Sequence, residues 1–443
     1  MGHAAVPDYL DQNFKDTAPG HWFGLYFQGW DEGFQSISGE SKKEVLDNLS
    51  GLSQDTQALL NALRQRQSRL AQAQGADVLS LPAKATAPLT TGLGNEHPLE
   101  NGFAFLNPYG VPYLPGSGVK GVLRRAAEQL ALFEADSQGW DIVAVWWLFG
   151  FEPTATYLTG PTQNTAQPLR DEAQHWRDSY PGQVDRQRLH AFVERYAAHD
   201  ERGTAEEWLA TLPQQAKQRE QVRNRGALCC WDVFPQLERL RVDILNPHHT
   251  QYYQNGQTPH DAENPVPVFF LTLPPGSGFE FHIHCQTARL PEGLRTEWVD
   301  LVQAALNLAF DWLGFGAKTA VGYGHMKVDQ QRIADKQAEE KARQQAKAAE
   351  QQAAEHEAEL AKLSPVDRKI TELSGQANSS KHRAKLLSNA LDNGDFADAA
   401  PEAAQKIRAI MQDDKTWRET TQKKNPKKDE EHQATLKVQR FLV

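Results

Sequence analysis

Gly314-Phe315-Gly316-Ala317-Lys318-Thr319-Ala320-Val321-Gly322-Tyr323-Gly324 lies between an apolar helical pattern and a short apolar run at Val321–Val328. Glycine is favoured where φ must be positive or where another backbone comes close. Successive backbone N–H groups in such a loop form a concavity for anions, and Lys318 adds a positive charge. The stretch therefore predicts a phosphate ligand. It is not a P-loop, because no G-x-x-x-x-G-K-[ST] occurs in the chain. It is not a dinucleotide-binding turn either, since it follows a helix and precedes a strand. Those exclusions leave a phosphodiester backbone.

Working outward from the loop gives the fold. Upstream, Leu294, Trp298, Leu301, Ala305, Leu308 and Trp312 form one helical stripe. Before it, Phe279, Phe281, Ile283 and Cys285 alternate with Glu280, His282 and His284, the period-2 pattern of a half-buried strand. Val266–Leu273, Leu240–Leu245 and Gly226–Val233 also read as strands. Val119, Val122, Leu123, Ala126, Ala127 and Leu130 recur at i, i+3, i+4, i+7, so a helix starts near Ser117, a suitable N-cap. Ala85–Gly92 reads as the first strand. The order β-α-β-β-α-β predicts an α+β, ferredoxin-like domain over 83–329.

The flanks read as helical. In 1–82, Val45, Leu49, Leu52, Leu59, Leu60, Leu63 and Leu70 fall near helical spacing, preceded by the aromatic segment Trp22–Phe27. A polar stretch at about 161–224 reads as a helical insertion on the sheet's periphery. Residues 330–363 are rich in Ala, Gln, Glu and Lys with a thin apolar stripe, which predicts a helical linker. After Ser364-Pro365, 364–443 reads as a small helical extension. No fixed-period repeat is evident.

A chain of 443 residues has room for two or more domains. No run approaches the ~18 consecutive apolar residues of a membrane span. The N-terminal sequence lacks a basic-then-apolar signal pattern, and the three cysteines include an adjacent pair, so a reducing, cytoplasmic setting is expected. Net charge is −10, which excludes a uniformly basic binder. Basic surfaces must be local, at Lys120/Arg124/Arg125, at Lys217/Arg219/Arg223/Arg225 or at Arg239/Arg241.

Two more segments bear on the ligand. Tyr113-Leu114-Pro115-Gly116-Ser117-Gly118-Val119-Lys120-Gly121-Val122-Leu123-Arg124 is a tight turn that opens a helix whose first turn carries Ser117, Gly118 and Lys120. Unsatisfied N–H groups and the helix dipole favour a phosphate there. Asp243-Ile244-Leu245-Asn246-Pro247-His248-His249-Thr250-Gln251-Tyr252-Tyr253, with Asn264-Pro265-Val266-Pro267 after it, marks a long excursion between strands. His248, His249, Tyr252 and Tyr253 suit base contacts. Either histidine would also suit a general base for RNA cleavage. A metal reading would add His282 and His284, but no cysteine or carboxylate set has ligand spacing.

These three segments together resemble the RAMP superfamily of type III CRISPR effectors, and within it the sixth subunits of the Cmr (type III-B) complex. The resemblance covers about 85–329. It implies an RRM-related fold that assembles beside other RAMP subunits along a crRNA and helps hold the guide–target duplex. It further implies a non-catalytic role without cofactor or membrane. Carried onto this sequence, the RNA-contacting residues would be Gly116, Ser117, Lys120 and Arg124, the finger residues His248, His249, Tyr252 and Tyr253, and Gly314, Gly316, Lys318, Thr319, Gly322 and Tyr323. Two alternatives follow from the residues: a RAMP-type endoribonuclease with a histidine base, and a scaffold acting through the helical tail.

Overall fold

A computed structural model describes residues 2–7, 9–10, 13–14, 16–37, 39–161, 167–182, 184–197, 203–245, 267–421 and 423–442. They form two compact units, Met1–Ile333 and Ala334–Val443. The strands in chain order are β1 Val78–Ala85, β2 Phe105–Leu106, β3 Val111–Pro112, β4 Leu228–Cys230, β5 Arg241–Leu245, β6 Val268–Thr272, β7 Gly278–Cys285 and β8 Met326–Val328.

The first unit is built on a four-stranded antiparallel sheet of order β4-β7-β1-β8. Helix Gly116–Leu132 crosses from β1 to β4, and helix Glu292–Leu308 from β7 to β8. This is the ferredoxin-like α+β arrangement. The predicted alternation in β7 explains the packing. Phe279, Phe281, Ile283 and Cys285 are buried with Leu81 and Ala83 of β1 and with Val119, Leu123, Leu294 and Trp298 of the two helices. Each fully buried large apolar side chain of this kind contributes about 2 kcal/mol.

The opposite sheet face is partly covered, with Ser80, Lys84, Cys229 and Lys327 exposed. Helix Gln54–Gln74 starts at Ser53, whose hydroxyl accepts the N–H of Thr56 at 3.2 Å. Its Arg64 donates to the Pro235 carbonyl at 2.6 Å and its Gln67 to the Asp232 carbonyl at 2.7 Å. Burial holds the Arg64 guanidinium pKa below its usual value, opposed by the charge of Glu280 on β7. His282, on the polar side of the β7 alternation, is 3% exposed; its Nδ1 lies 2.8 Å from Ser80 Oγ and its ring 5.3 Å from that of Trp231. The centre of the face on which RRM domains stack bases is thus filled at His282 by this protein's own side chains.

Four local expectations shift. The first strand is Val78–Ala85, not Ala85–Gly92; Pro82 makes that run read as a break, yet β8 pairs only from Ala83, so the proline lies at the margin of that ladder. Beyond it, Leu89 and Thr90 make single bridges to Leu273 and Ala317. Between Gly226 and Val233 only Leu228–Cys230 is strand. The N-cap of the first crossover helix is Pro115, not Ser117, because Asp232 Oδ1 already accepts the Gly116 N–H at 2.7 Å. Trp312, placed by periodicity on the buried stripe, is 75% exposed. The helix widens after Leu308 into a π-helical turn, Ala309–Leu313, and the altered register turns Trp312 outward while Phe310 and Phe315 fill the core.

The stretch read as a peripheral insertion shares the main core. Helix Ile142–Phe149 is buried along its whole length, capped by Asp141, whose carboxylate also pairs with Arg188. Its Trp146 and Trp147 pack against Phe192 and Trp208 from the helices Arg186–Tyr196 and Ala205–Thr211. In the N-terminal region Phe14 stacks on Tyr26 at 4.5 Å and Phe23 on His97 at 3.7 Å.

The second unit opens with most of helix Gln330–Lys362, which buries no residue. Helices Pro365–Gly375, Ser380–Asp392, Ala400–Asp413 and Glu430–Gln439 then enclose Ile370, Leu387, Leu391, Ile407, Met411 and Val438. Phe441 and Leu442 pack against this core.

Candidate nucleic-acid interface

Three connections leave the sheet at one end. Ala85, the last residue of β1, pairs with Met326, the first of β8, and Lys84 pairs with Gly278, the first of β7. The segments that follow β1, precede β8 and join β4 to β7 therefore emerge together. They hold the three sequence-predicted segments.

The loop Gly314–Gly324 is tightly determined. Gly314, Gly316, Gly322 and Gly324 all have positive φ. A Cβ on Gly324 would lie 2.0 Å from the Phe315 carbonyl oxygen, and one on Gly316 would lie 2.2 Å from that of Thr90. Glycine at these two positions thus answers to the protein's own backbone. Gly322 meets nothing and faces open space. The N–H of Ala317 donates to Thr90 at 2.7 Å, that of Gly324 to Pro88 at 2.8 Å, and that of Phe315 to Gly324 at 3.0 Å. Among the described residues, the N–H groups of Lys318, Thr319 and Ala320 donate no hydrogen bond. Lys318 is left-handed (φ 60°, ψ 27°) and runs into the helical turn Thr319–Val321. A left-handed residue followed by right-handed ones aims successive amides at one point, the geometry of an anion nest.

Side chains fix the nest in place. The Tyr323 hydroxyl donates to Asp243 Oδ2 at 2.7 Å, tying the loop to β5. Burial, reinforced by that carboxylate, pushes the Tyr323 phenol up to about 12. Lys318 Nζ stands 5.1 Å from the centre of the Phe270 ring on β6. Val321 is 73% exposed beside the nest, and Trp312 projects from the π turn two residues before Gly314.

The helix start at Gly116–Arg124 differs. Gly116 is pressed against the Cys230 carbonyl, and its amide is taken by Asp232. Lys120 Nζ donates to the Leu228 carbonyl of β4 at 3.0 Å, and burial lowers its pKa. Arg124 is spent inside the protein: Nε on Glu128 at 2.9 Å, Nη1 on the Gly150 carbonyl at 3.1 Å, and Nη2 near Glu152. Ser117, Gly118 and Gly121 are exposed, and a Cβ on either of these glycines would meet nothing within 4 Å. His248, His249, Tyr252 and Tyr253 lie outside the described residues.

Sequence reasoning missed Thr90, Asp243 and Phe270 as supports of the loop, because Thr90 and Asp243 lie 80 or more residues from the loop groups they hold and Phe270 meets Lys318 from a separate strand. Other basic groups named from sequence are also engaged. Arg219 donates to the carbonyls of Pro153, Leu212 and Pro213, Arg125 lies 3.9 Å over Trp176, and Arg239 donates to Ser50. Among the described residues no three His, Cys, Asp or Glu side chains are grouped to hold a metal ion. No described helix is long and apolar enough to cross a membrane.

The chain is thus an α+β protein whose ferredoxin-like domain carries a glycine-rich nest between its second crossover helix and its last strand. The sequence model of the RAMP superfamily matches residues 83–327, more than half of the chain, and the chain belongs to that superfamily. Among curated relatives it is similar to the CRISPR system Cmr subunit Cmr6 of Pyrococcus furiosus, with 28% identity over 253 residues, 55% of this chain and 66% of the relative. The chain thus spans just under two thirds of that relative's length. Among solved structures it is similar to a chain of the type III-B Cmr-beta complex bound to cognate target RNA, by cryo-EM (TM-score 0.37, 16% identity, 65% of this chain and 71% of that one). It is also similar to crystalline Cmr6 from Pyrococcus furiosus (TM-score 0.25, 23% identity, 57% of this chain and 98% of that one).

Proposed function

We propose that this chain is an RNA-holding subunit of a type III-B CRISPR effector complex. It grips the crRNA, towards its 3′ end, and the guide–target duplex through sugar–phosphate contacts, and it does not cut them. Its partners in this reading are the crRNA, the target RNA and other RAMP subunits of the same cytoplasmic complex. The observation that carries it is the nest of unbonded amides at Lys318, Thr319 and Ala320, set at the sheet end where three connections converge. Membership of the RAMP superfamily and the likeness to Cmr6 support it.

Backbone gripping makes binding insensitive to base sequence and sensitive to salt. Lys318→Ala is expected to weaken RNA binding about fivefold for every spacer sequence and to reduce the salt slope by roughly 0.7, the release from one phosphate of a single strand. Fluorescence anisotropy at several salt concentrations measures both. Unchanged affinity together with unchanged complex assembly would remove the loop from the interface. Incubation with precursor RNA checks the other half: no specific cleavage is expected. Cleavage that His248→Ala or His249→Ala abolishes would replace this reading with an endoribonuclease.

A further inference from the structure

Lys423-Lys424-Asn425-Pro426-Lys427-Lys428 runs straight into Asp429-Glu430-Glu431, so the sequence reads as nearly charge-balanced. The fold separates the two signs. Asp429 is buried, its carboxylate taking the Thr421 hydroxyl at 3.1 Å and the His432 N–H at 3.5 Å, where it caps the last helix. Glu431 is buried between Arg418 at 2.5 Å and Lys381 at 3.2 Å. Glu430 pairs with Lys385 at 3.1 Å. All three carboxylates are committed to the bundle.

The lysines are left without them. Every residue of 423–428 is exposed, and among the described residues none of the four ammonium groups has a carboxylate partner. Lys423 Nζ donates to the Lys428 carbonyl at 3.0 Å. Elsewhere in the same unit Arg368, Lys381, Arg383, Lys385, Lys406, Arg418, Lys437 and Arg440 all sit in ion pairs. The loop is also held in shape. Asn425 Oδ1 accepts the Lys427 N–H at 3.1 Å, Gln433 donates to the Pro426 carbonyl at 3.1 Å, and the preceding turn is fixed where the Arg418 N–H donates to Thr435 Oγ1 at 2.9 Å. Four like charges are thus held within six consecutive residues, without a carboxylate among the described residues to offset them, in a chain whose net charge is −10.

We propose that this lysine loop is a second RNA-binding surface, taking the phosphodiester backbone of a single strand by charge alone. It is separate from the Gly314–Gly324 nest and lies beyond the residues matched by the RAMP superfamily. It shares with the proposed function only the identity of the ligand. A phosphate chain is favoured over an acidic protein because the loop offers point charges without an apolar, aromatic or arginine anchor. Lysine is depleted in protein–protein interface cores, where aromatic and arginine side chains carry the affinity. Phosphate contacts, by contrast, are supplied by lysine without regard to base.

The test uses the full chain, a fluorescein-labelled mixed-sequence single-stranded RNA, and anisotropy from about 50 to 300 mM salt. The quadruple variant K423Q/K424Q/K427Q/K428Q is expected to bind roughly tenfold more weakly at low salt, with the salt slope lower by about 2 to 3. The matching quadruple arginine variant restores both, while the glutamine variant keeps its thermal midpoint. Unchanged affinity and slope overturn the proposal. So does unchanged RNA binding with lost capture of the other complex subunits, which would make the loop a protein-docking face. Lys318→Ala, measured in parallel, separates the sites: an effect there alone sinks this inference, and an effect here alone sinks the nest.

Discussion

The loop Gly314–Gly324 and the helix start Gly116–Arg124 look equivalent as peptides. Each has closely spaced glycines, a lysine and a hydroxyl residue, and each connects elements at the same end of one sheet. In the fold they diverge. The loop spends its glycines on internal close approaches and leaves successive amides open. The helix start spends its charges internally, with Lys120 on a β4 carbonyl and Arg124 on Glu128 and Gly150, and leaves two glycines open. Equal composition therefore gives unequal donors. What decides is which polar groups the surrounding fold has already used.

The strongest way to break this contrast is Gly324→Ala. The new methyl would sit on the Phe315 carbonyl oxygen, at a φ of +78° that a side chain disfavours. Strain and overlap together predict a loss of about 3 kcal/mol. Thermal denaturation should show a clear fall in midpoint, and RNA binding should drop further than in Lys318→Ala. A variant with native stability and native affinity would show that the loop's shape is not what binds.

Apart from the inner strand Val78–Ala85, which the sequence reading set some seven residues late, the elements that carry the fold were legible because they rest on local periodicity. The alternation Phe279–Cys285 and the stripe from Leu294 to Leu308 both report burial directly, and the order of elements then leaves one sheet topology. Trp312 was not legible, since a π-helical turn is decided by how Phe310 and Phe315 pack and not by spacing. The cover of helix Gln54–Gln74 was also hidden, because it depends on hydrogen bonds to carbonyls more than 160 residues away. In the site, the glycine loop announced itself. The withdrawal of Arg124 was only half legible: Glu128 stands at i+4 on the same helix, but Gly150 and Glu152 follow by 26 and 28 positions, too far for helical spacing to signal a partner.

A middle-sized effect sharpens the difference at the two lysines. Lys120→Met removes the ammonium hydrogen bonded to Leu228 but keeps the apolar stem. Allowing for partial exposure, the loss is about 1 kcal/mol of stability. RNA affinity should stay within about twofold of the parent, whereas Lys318→Ala should show the reverse pattern. Urea denaturation paired with anisotropy reads both quantities. A fivefold loss of affinity in Lys120→Met without loss of stability would return that lysine to the phosphate.

The smallest effect concerns what the helix start keeps for a ligand. Glycine inside a helix costs about 0.5–1 kcal/mol relative to alanine. Gly118 and Gly121 bear that cost with open space above them, so no neighbour in the protein requires them. Gly121→Ala is therefore expected to raise stability by about 0.5 kcal/mol. If the open face admits a sugar–phosphate backbone, the same methyl weakens RNA binding by about threefold through close contact, equally for all sequences. Higher stability with lower affinity would make the helix start part of the interface through its missing side chains. Higher stability with unchanged affinity would remove it, and the grip on RNA in this unit would then rest on the Lys318 nest and the connections beside it.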